Sequence, residues 1–314
     1  MLHRTHDLAL AGDSLSSEGR LPEGSRLARW RHRFLAAMLL LCAAWLPVAP
    51  ALAQFSQQGP KLVGTGALGA AQQGDSVSIS ADGNTAIVGG HYDNGGAGAA
   101  WVYTRSAGVW SQQGAKLVGT GAVGAAYQGY SVSISGDGNT AIVGGYADNG
   151  TAGAAWVYTR SAGVWSQQGA KLVGTGTVGT ANQGRSVALS ADGNSAIVGG
   201  YNDNGGAGAA WVYTRSAGVW SQQGAKLVGT GAVGAAYRGY SVSISADGNT
   251  AIVGGPIDNG SVGAAWVWAA PVPVAGPVSI PTLSEWGLLM LCALLVLFGW
   301  VRLRRDRGTV SNCS

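Results

Sequence analysis

At 314 residues the chain is long enough for a sizeable core, yet only 11% of it is Asp, Glu, Lys or Arg, and 53 residues are glycine. The formal charge of +4 arises outside residues 54–281, where nine Asp balance four Lys and five Arg with no Glu, so no basic face offers itself to nucleic acid. Cys42, Cys292 and Cys313 also fall outside that span, which removes disulfides, thiol chemistry and cysteine-ligated zinc from it.

The first 53 residues read as a secretory leader. Arg26, Arg29, Arg31 and Arg33 precede an apolar run over 34–45, and Ala51, Leu52 and Ala53 form a small-residue A-x-A site. Cleavage is expected between Ala53 and Gln54 after passage through the Sec export machinery. Cys42 lacks the preceding small residues of a lipoprotein box.

Residues 54–268 repeat with a period of 55: Lys61, Lys116, Lys171 and Lys226 recur at that interval, as do Trp110, Trp165 and Trp220. A long fixed period marks a repeat architecture. In the first unit, Val77 and Ile79 alternate with Ser76, Ser78 and Ser80, the pattern of a half-buried strand. Asp82, Gly83 and Asn84 supply a tight turn, because these residues accept positive φ. Residues 85–88 give a second strand, residues 93–96 a loop, residues 99–105 a third strand with Trp101 and Tyr103 on one face, and residues 109–118 a fourth. Four antiparallel strands per unit is the size of one β-propeller blade.

The units are out of phase with the ends of the region. It begins at 54–63 with a fourth strand lacking its first three, and stops at Trp266, Val267 and Trp268, a third strand lacking its fourth. The two halves make one blade, so the expectation is an all-β propeller of four blades closed by residues 55–64 pairing beside 264–268, which would remove both exposed edges. An open arc, or two chains forming a larger ring, is the alternative.

The text SVSIS at 76–80, NTAIVGG at 84–90, GAAWVY at 98–103 and WSQQ at 110–113 resembles FG-GAP-type repeats, the blade module of integrin α-subunit heads and of many exported bacterial proteins. The integrin family usually has seven blades, some with a calcium loop of three alternating carboxylates. The nearest loop here offers Asp82 and Asn84, so calcium does not carry over by match. Asp82, Asp93, Asp137 and Asp148 remain as weak candidates, since calcium wants six or more oxygens and few charged ones converge. No other cofactor is expected.

After a Pro-rich linker at 269–279 come Ile280, Pro281, Thr282, Leu283, Trp286 and Gly287, an apolar stretch over 288–301, and Arg302, Arg304, Arg305 and Arg307. This tripartite segment, 280–307, resembles the IPTL-type C-terminal sorting signal of Gram-negative bacteria. The resemblance implies a transmembrane helix at 286–301, inner-membrane anchoring during sorting, and an exosortase-like processing protease that passes the protein to the cell surface or medium. A plain anchor is the alternative. Residues 308–314 are tail.

Catalytic candidates are sparse. His91 is the single histidine of the exported domain, and its counterparts in the repeat are Tyr146, Tyr201 and Pro256, so no base recurs for a nucleophilic triad. The bold differences between units cluster instead: Gln72, Tyr127, Asn182 and Tyr237 correspond, as do Asp75, Tyr130, Arg185 and Tyr240, and then Tyr92, Ala147, Asn202 and Ile257. These positions precede the first strand or follow the second, which in an up-and-down blade lie on one rim. The expected binding residues are therefore Tyr127, Tyr130, Tyr146, Tyr201, Tyr237, Tyr240, His91 and Tyr92, on variable loops over a rigid scaffold. The expectation is a non-enzymatic surface module with a protein or carbohydrate ligand. The alternatives are a structural envelope component and, last, a secreted enzyme.

Overall fold

The computed structural model describes residues 54–271 and 285–307. The expected leader, its cleavage junction at Ala53, most of the Pro-rich linker and the sorting residues Ile280, Pro281, Thr282 and Leu283 lie outside the described residues.

The repeat builds four antiparallel meanders in chain order, arranged like propeller blades. The first sheet is β1 (Ser76–Ile79), β2 (Thr85–Gly90), β3 (Ala99–Ser106) and β4 (Val109–Gln112). The second is β5 (Ser131–Ile134), β6 (Thr140–Gly145), β7 (Ala154–Ser161) and β8 (Val164–Gln167). The third is β9 (Ser186–Leu189), β10 (Ser195–Gly200), β11 (Ala209–Ser216) and β12 (Val219–Gln222). The fourth has three strands, β13 (Ser241–Ile244), β14 (Thr250–Gly255) and β15 (Ala264–Ala269). The four first strands are neighbours in sequence order, β1 beside β5, β5 beside β9 and β9 beside β13.

The turn chemistry sets the register. Asp82 Oδ1 accepts from Ser80 Oγ and from the Asn84 amide, 2.5 and 2.9 Å, and Gly83 takes φ 66°. This fixes Val77 opposite Val88 and Ile79 opposite Ala86. The same turns stitch sheet to sheet: the Ala81 amide donates to Gly136 O, the Gly136 amide to Ala191 O and the Ala191 amide to Ala246 O. The third strand carries the core. Trp101, Trp156 and Trp211 are fully buried, and each indole N–H donates to the carbonyl of a threonine in the preceding connection, Thr65, Thr120 and Thr175, at 2.8 Å. Glycine is required beneath each ring, since a Cβ on Gly119 would fall 2.1 Å from Trp156 Cδ1. Truncating one such tryptophan costs about 3–5 kcal/mol.

Between sheets, Ile87, Ala100 and Val102 of the first pack against Val132, Ile134, Val143 and Trp156 of the second. The third joins the second in the same way. Polar seams accompany this packing: Ser76 Oγ accepts from the Val132 amide and Ser78 Oγ from the Ile134 amide.

The sheets are arranged like propeller blades as expected, but the closing strand is not formed: among the described residues 55–64 does not pair with 264–268. Among the described residues, 54–75 form no strand, and β15 pairs with β14 alone. Gln58 does take the place of a preceding fourth strand along the first sheet, accepting from Arg105 and Trp110 at 3.0 Å, as Gln113 accepts from Arg160 and Trp165. However, Val77 and Ile79 of the first sheet remain exposed, as do Ile252 and Val267 of the last.

A helix forms at Glu285–Arg307, including Trp286 and Gly287, but the expected transmembrane helix at 286–301 is not supported. Among the described residues no helix is long and apolar enough to cross a membrane. The physical reason is length: the apolar run 288–301 rises only about 21 Å before the arginines begin, against a hydrocarbon core of about 30 Å.

Candidate functional site

The loops before the first strands and after the second strands converge, and their tyrosines meet. Tyr92 and Tyr127 have ring centroids 5.3 Å apart, Tyr127 and Tyr146 stack at 5.6 Å, and Tyr146 meets Tyr130 edge-on at 4.6 Å. Farther along, Tyr201 contacts Tyr237 at 5.6 Å and Tyr240 at 5.9 Å. Arg185 joins the two groups, its guanidinium 4.5 Å from the Tyr130 ring centroid and 4.3 Å from that of Tyr240. All eight expected rim residues therefore belong to one strip across the loops of the four sheets. Tyr92 and Tyr240 are exposed and the other five tyrosines are partly so. In the fourth repeat Pro256 and Ile257 stand in the tyrosine columns, so the strip ends at Tyr237 and Tyr240.

The backbone holds these rings in a costly conformation. Tyr127 and Tyr237 take φ of 55° and 58°, a left-handed setting uncommon for a bulky residue and sustained only when the surroundings fix it. The amides of Tyr127 and Tyr237 donate to Gly96 O and Gly206 O, both at 2.8 Å. Gly96 and Gly206 also leave room for the rings, since a Cβ there would fall 2.4 and 2.3 Å from the Cε1 atoms of Tyr127 and Tyr237. In the second repeat the glycine is Thr151 and its opposite residue is the smaller Asn182.

His91 is buried at one end of the strip, edge-on to Tyr130 at 5.2 Å. Its Nδ1 lies 3.1 Å from Asp75 Oδ2, an ion-pair distance, and makes no hydrogen bond among the described residues. Burial lowers the His91 pKa below its ordinary value, against the opposing pull of Asp75. Burial likewise raises Tyr130 and Tyr146, with Arg185 partly offsetting the rise at Tyr130. The rim is thus aromatic and hydroxylated, with one cation at its centre and one carboxylate at its edge. Arg185 and Asp75 were not among the expected site residues. Their signal was their column, since they occupy the repeat position of Tyr130 and Tyr240.

The aspartates expected as weak calcium candidates are engaged by the protein. Asp82 accepts from Ser80 and Asn84, bonds that hold its pKa at about 2, and Asp137 accepts from Ser135 and Asn139 in the same way. Asp93 is buried, receiving the Leu68 amide at 2.7 Å on one oxygen and the Lys116 ammonium on the other. Asp148 receives the Val123 amide and Lys171. Among the described residues no three His, Cys, Asp or Glu gather into a group that could hold a metal ion.

With this geometry in view, two likenesses to known proteins stand out. Residues 278–305 match the IPTL-CTERM motif, a signal consistent with export and cell-surface sorting. No curated protein matches the chain in sequence. Among solved structures the chain is similar to TolB from Acinetobacter baumannii, with 16% identity and a TM-score of 0.37. The likeness covers 62% of this chain and 40% of that one, so the chain spans well under half the length of that structure.

Proposed function

We propose that this chain is an exported, non-enzymatic binding module of the Gram-negative cell surface, built on FG-GAP-type blades, and that its ligand site is the tyrosine strip. The observation that carries the reading is the coincidence of variation, aromatic enrichment and contact: the positions that differ most between repeats hold seven tyrosines in two contacting groups that Arg185 joins. Partly exposed aromatics with hydroxyl tips suit stacking on sugar rings and contact with protein surfaces. An array of glycans and surface proteins probed with the full-length protein tests this, and binding should be lost in Tyr130→Ala and Tyr240→Ala variants. A ligand that still binds both variants places the site elsewhere.

A second reading, a structural envelope component, is favoured by the near-identical sheets and their uncovered end faces, and is preferred if the array stays blank. For its address, we infer Sec export, sorting through the IPTL motif and cleavage by an exosortase-like protease. Mass spectrometry of the surface form should find an N-terminus at Gln54 and no peptide beyond about Trp286, and an intact arginine tail would overturn this.

A further inference from the structure

The interfaces between consecutive sheets repeat with the sequence, so each residue at an internal interface has a counterpart at the two ends, where the partner is missing. Ile87, Ile142 and Ile197 are 0% exposed, whereas Ile252, one period on, is 42% exposed, and Val267 is 64% against 1% for Val102 and Val157. At the other end Val77 is 67% exposed against 7% for Val132. The last sheet thus presents an outgoing face, and the first an incoming face, that fit each other as the internal sheets do.

Close-approach positions say the same. A Cβ on Gly89, Gly144 or Gly199 would fall 2.0–2.2 Å from the carbonyl oxygen of Gly129, Gly184 or Gly239, while the nearest atoms to one on Gly254 all belong to Ser241. Gly98, Gly153 and Gly208 bridge to Gln128, Gln183 and Arg238. Gly263 keeps the same φ, 77°, but meets only Pro256. Charges are left over in the same register. Asp93, Asp148 and Asp203 pair with Lys116, Lys171 and Lys226, each lysine 23 residues after its aspartate. Buried Asp258 has no lysine among the described residues, because position 281 is proline. Lys61, one period before Lys116, is exposed.

Among the described residues the last sheet has no fourth strand, and beside it lies a cavity of about 370 Å³ lined by Val212, Gln223, Ile244, Ala251, Trp268 and Ala270. At the internal interfaces the fourth-strand tryptophan fills this place: Trp165 packs into the core between the first two sheets and donates to Gln113, and Trp220 donates to Gln168. Gln223 is the same glutamine one period later. Phe55, one period before Trp110, is fully exposed.

We propose that the chain associates head to tail with a second copy of itself. Residues 54–63 of one copy supply the missing fourth strand of the other's last sheet, placing Phe55 in the cavity and Lys61 against Asp258. Val77 and Ile79 then cover Ile252 and Val267. The contact is heterologous, so it builds a ring if the rotation closes and a filament if it does not.

The test is the mass of the full-length protein in mild detergent, followed by sedimentation against concentration. One variant, Lys61→Glu with Val77→Asp, disables the incoming face, and another, Val267→Asp, disables the outgoing face; these side chains are exposed, so both variants should melt as the unmodified chain does when dilute. The unmodified protein should assemble and each variant alone should stay a single chain. A one-to-one mixture should give pairs that grow no further, because one complementary interface survives. Should a variant misfold, a cysteine-free chain carrying Phe55→Cys, mixed with one carrying Ala270→Cys, should form a disulfide-linked pair, the register in which Trp110 faces Arg105. A protein that stays single at every concentration, assembly indifferent to these substitutions, or absence of both mixed species would overturn the proposal.

Discussion

Gly96 lies directly under Tyr127: the space a Cβ on Gly96 would occupy is 2.4 Å from the tyrosine Cε1, and its φ is 91°. The turn after the second strand therefore decides whether the strip can carry a large ring at that place. Gly96→Ala introduces both a left-handed strain and a collision, and should destabilise the protein by about 1–3 kcal/mol. Thermal melting checks the magnitude. The Tyr127 ring resonances should shift, while those of Tyr237, above Gly206, stay in place.

The hydroxyls of Tyr103, Tyr158 and Tyr213 are buried without a hydrogen-bond partner, and burial raises the pKa of each. An unsatisfied buried polar group costs about 1–3 kcal/mol. Tyr158→Phe removes the oxygen and keeps the ring among Ile134, Val143 and Trp156, so it should hold or raise the melting temperature. Tyr158→Ala should lower it by the equivalent of about 3–5 kcal/mol. Paired melting curves of the two variants read the contrast, and a destabilised Phe variant would mean that a bound water satisfies the hydroxyl.

Much of the fold was legible because the chain states its period four times. Serine alternation, the Asp-Gly-Asn turn and the Trp–Tyr strand each named an element, and loop variation named the rim. The closing strand was not legible in the same way, because strand phase says which segments are complementary but not whether 54–63 pairs with the last sheet of its own chain. The helix expected at the membrane segment forms, but its run of 14 apolar residues is short against a bilayer's hydrocarbon core. Arg185 was noted as a difference between units but not as a site residue, because a lone arginine in a tyrosine column looks like divergence until the distances to Tyr130 and Tyr240 are known. Asp93 read as a loop residue and a weak calcium candidate, and its burial against Lys116 depends on a contact 23 residues away.

His91 predicts a pH dependence. Its folded pKa lies below the unfolded value of about 6.5, so the unfolded chain binds more protons, and the stability contributed by neutral His91 is full above that value and is lost as pH falls through the folded pKa. The turn aspartates contribute in the same direction but at lower pH, with Asp82 held at about 2. Between pH 7 and 5, therefore, the melting temperature should fall in the unmodified protein. In His91→Tyr, which installs the residue of the second and third repeats, it should stay nearly flat.

The four repeats offer an internal control on the buried ion pair. Asp148 holds the Val123 amide and Lys171, while Asp258 holds the equivalent Val233 amide at 2.8 Å with no lysine beside it. Asp148→Ala strands a partly buried ammonium as well as an amide, and breaking a buried pair costs about 3–5 kcal/mol. Asp258→Ala removes the amide acceptor and a charge that acts on Arg238 from a distance, but strands no contacting ammonium, and should cost about 1–3 kcal/mol. Chemical denaturation of the two variants under dilute conditions, where single chains prevail, measures the difference directly. Equal losses would show that the lysine contributes nothing and that the aspartate acts only by fixing its loop.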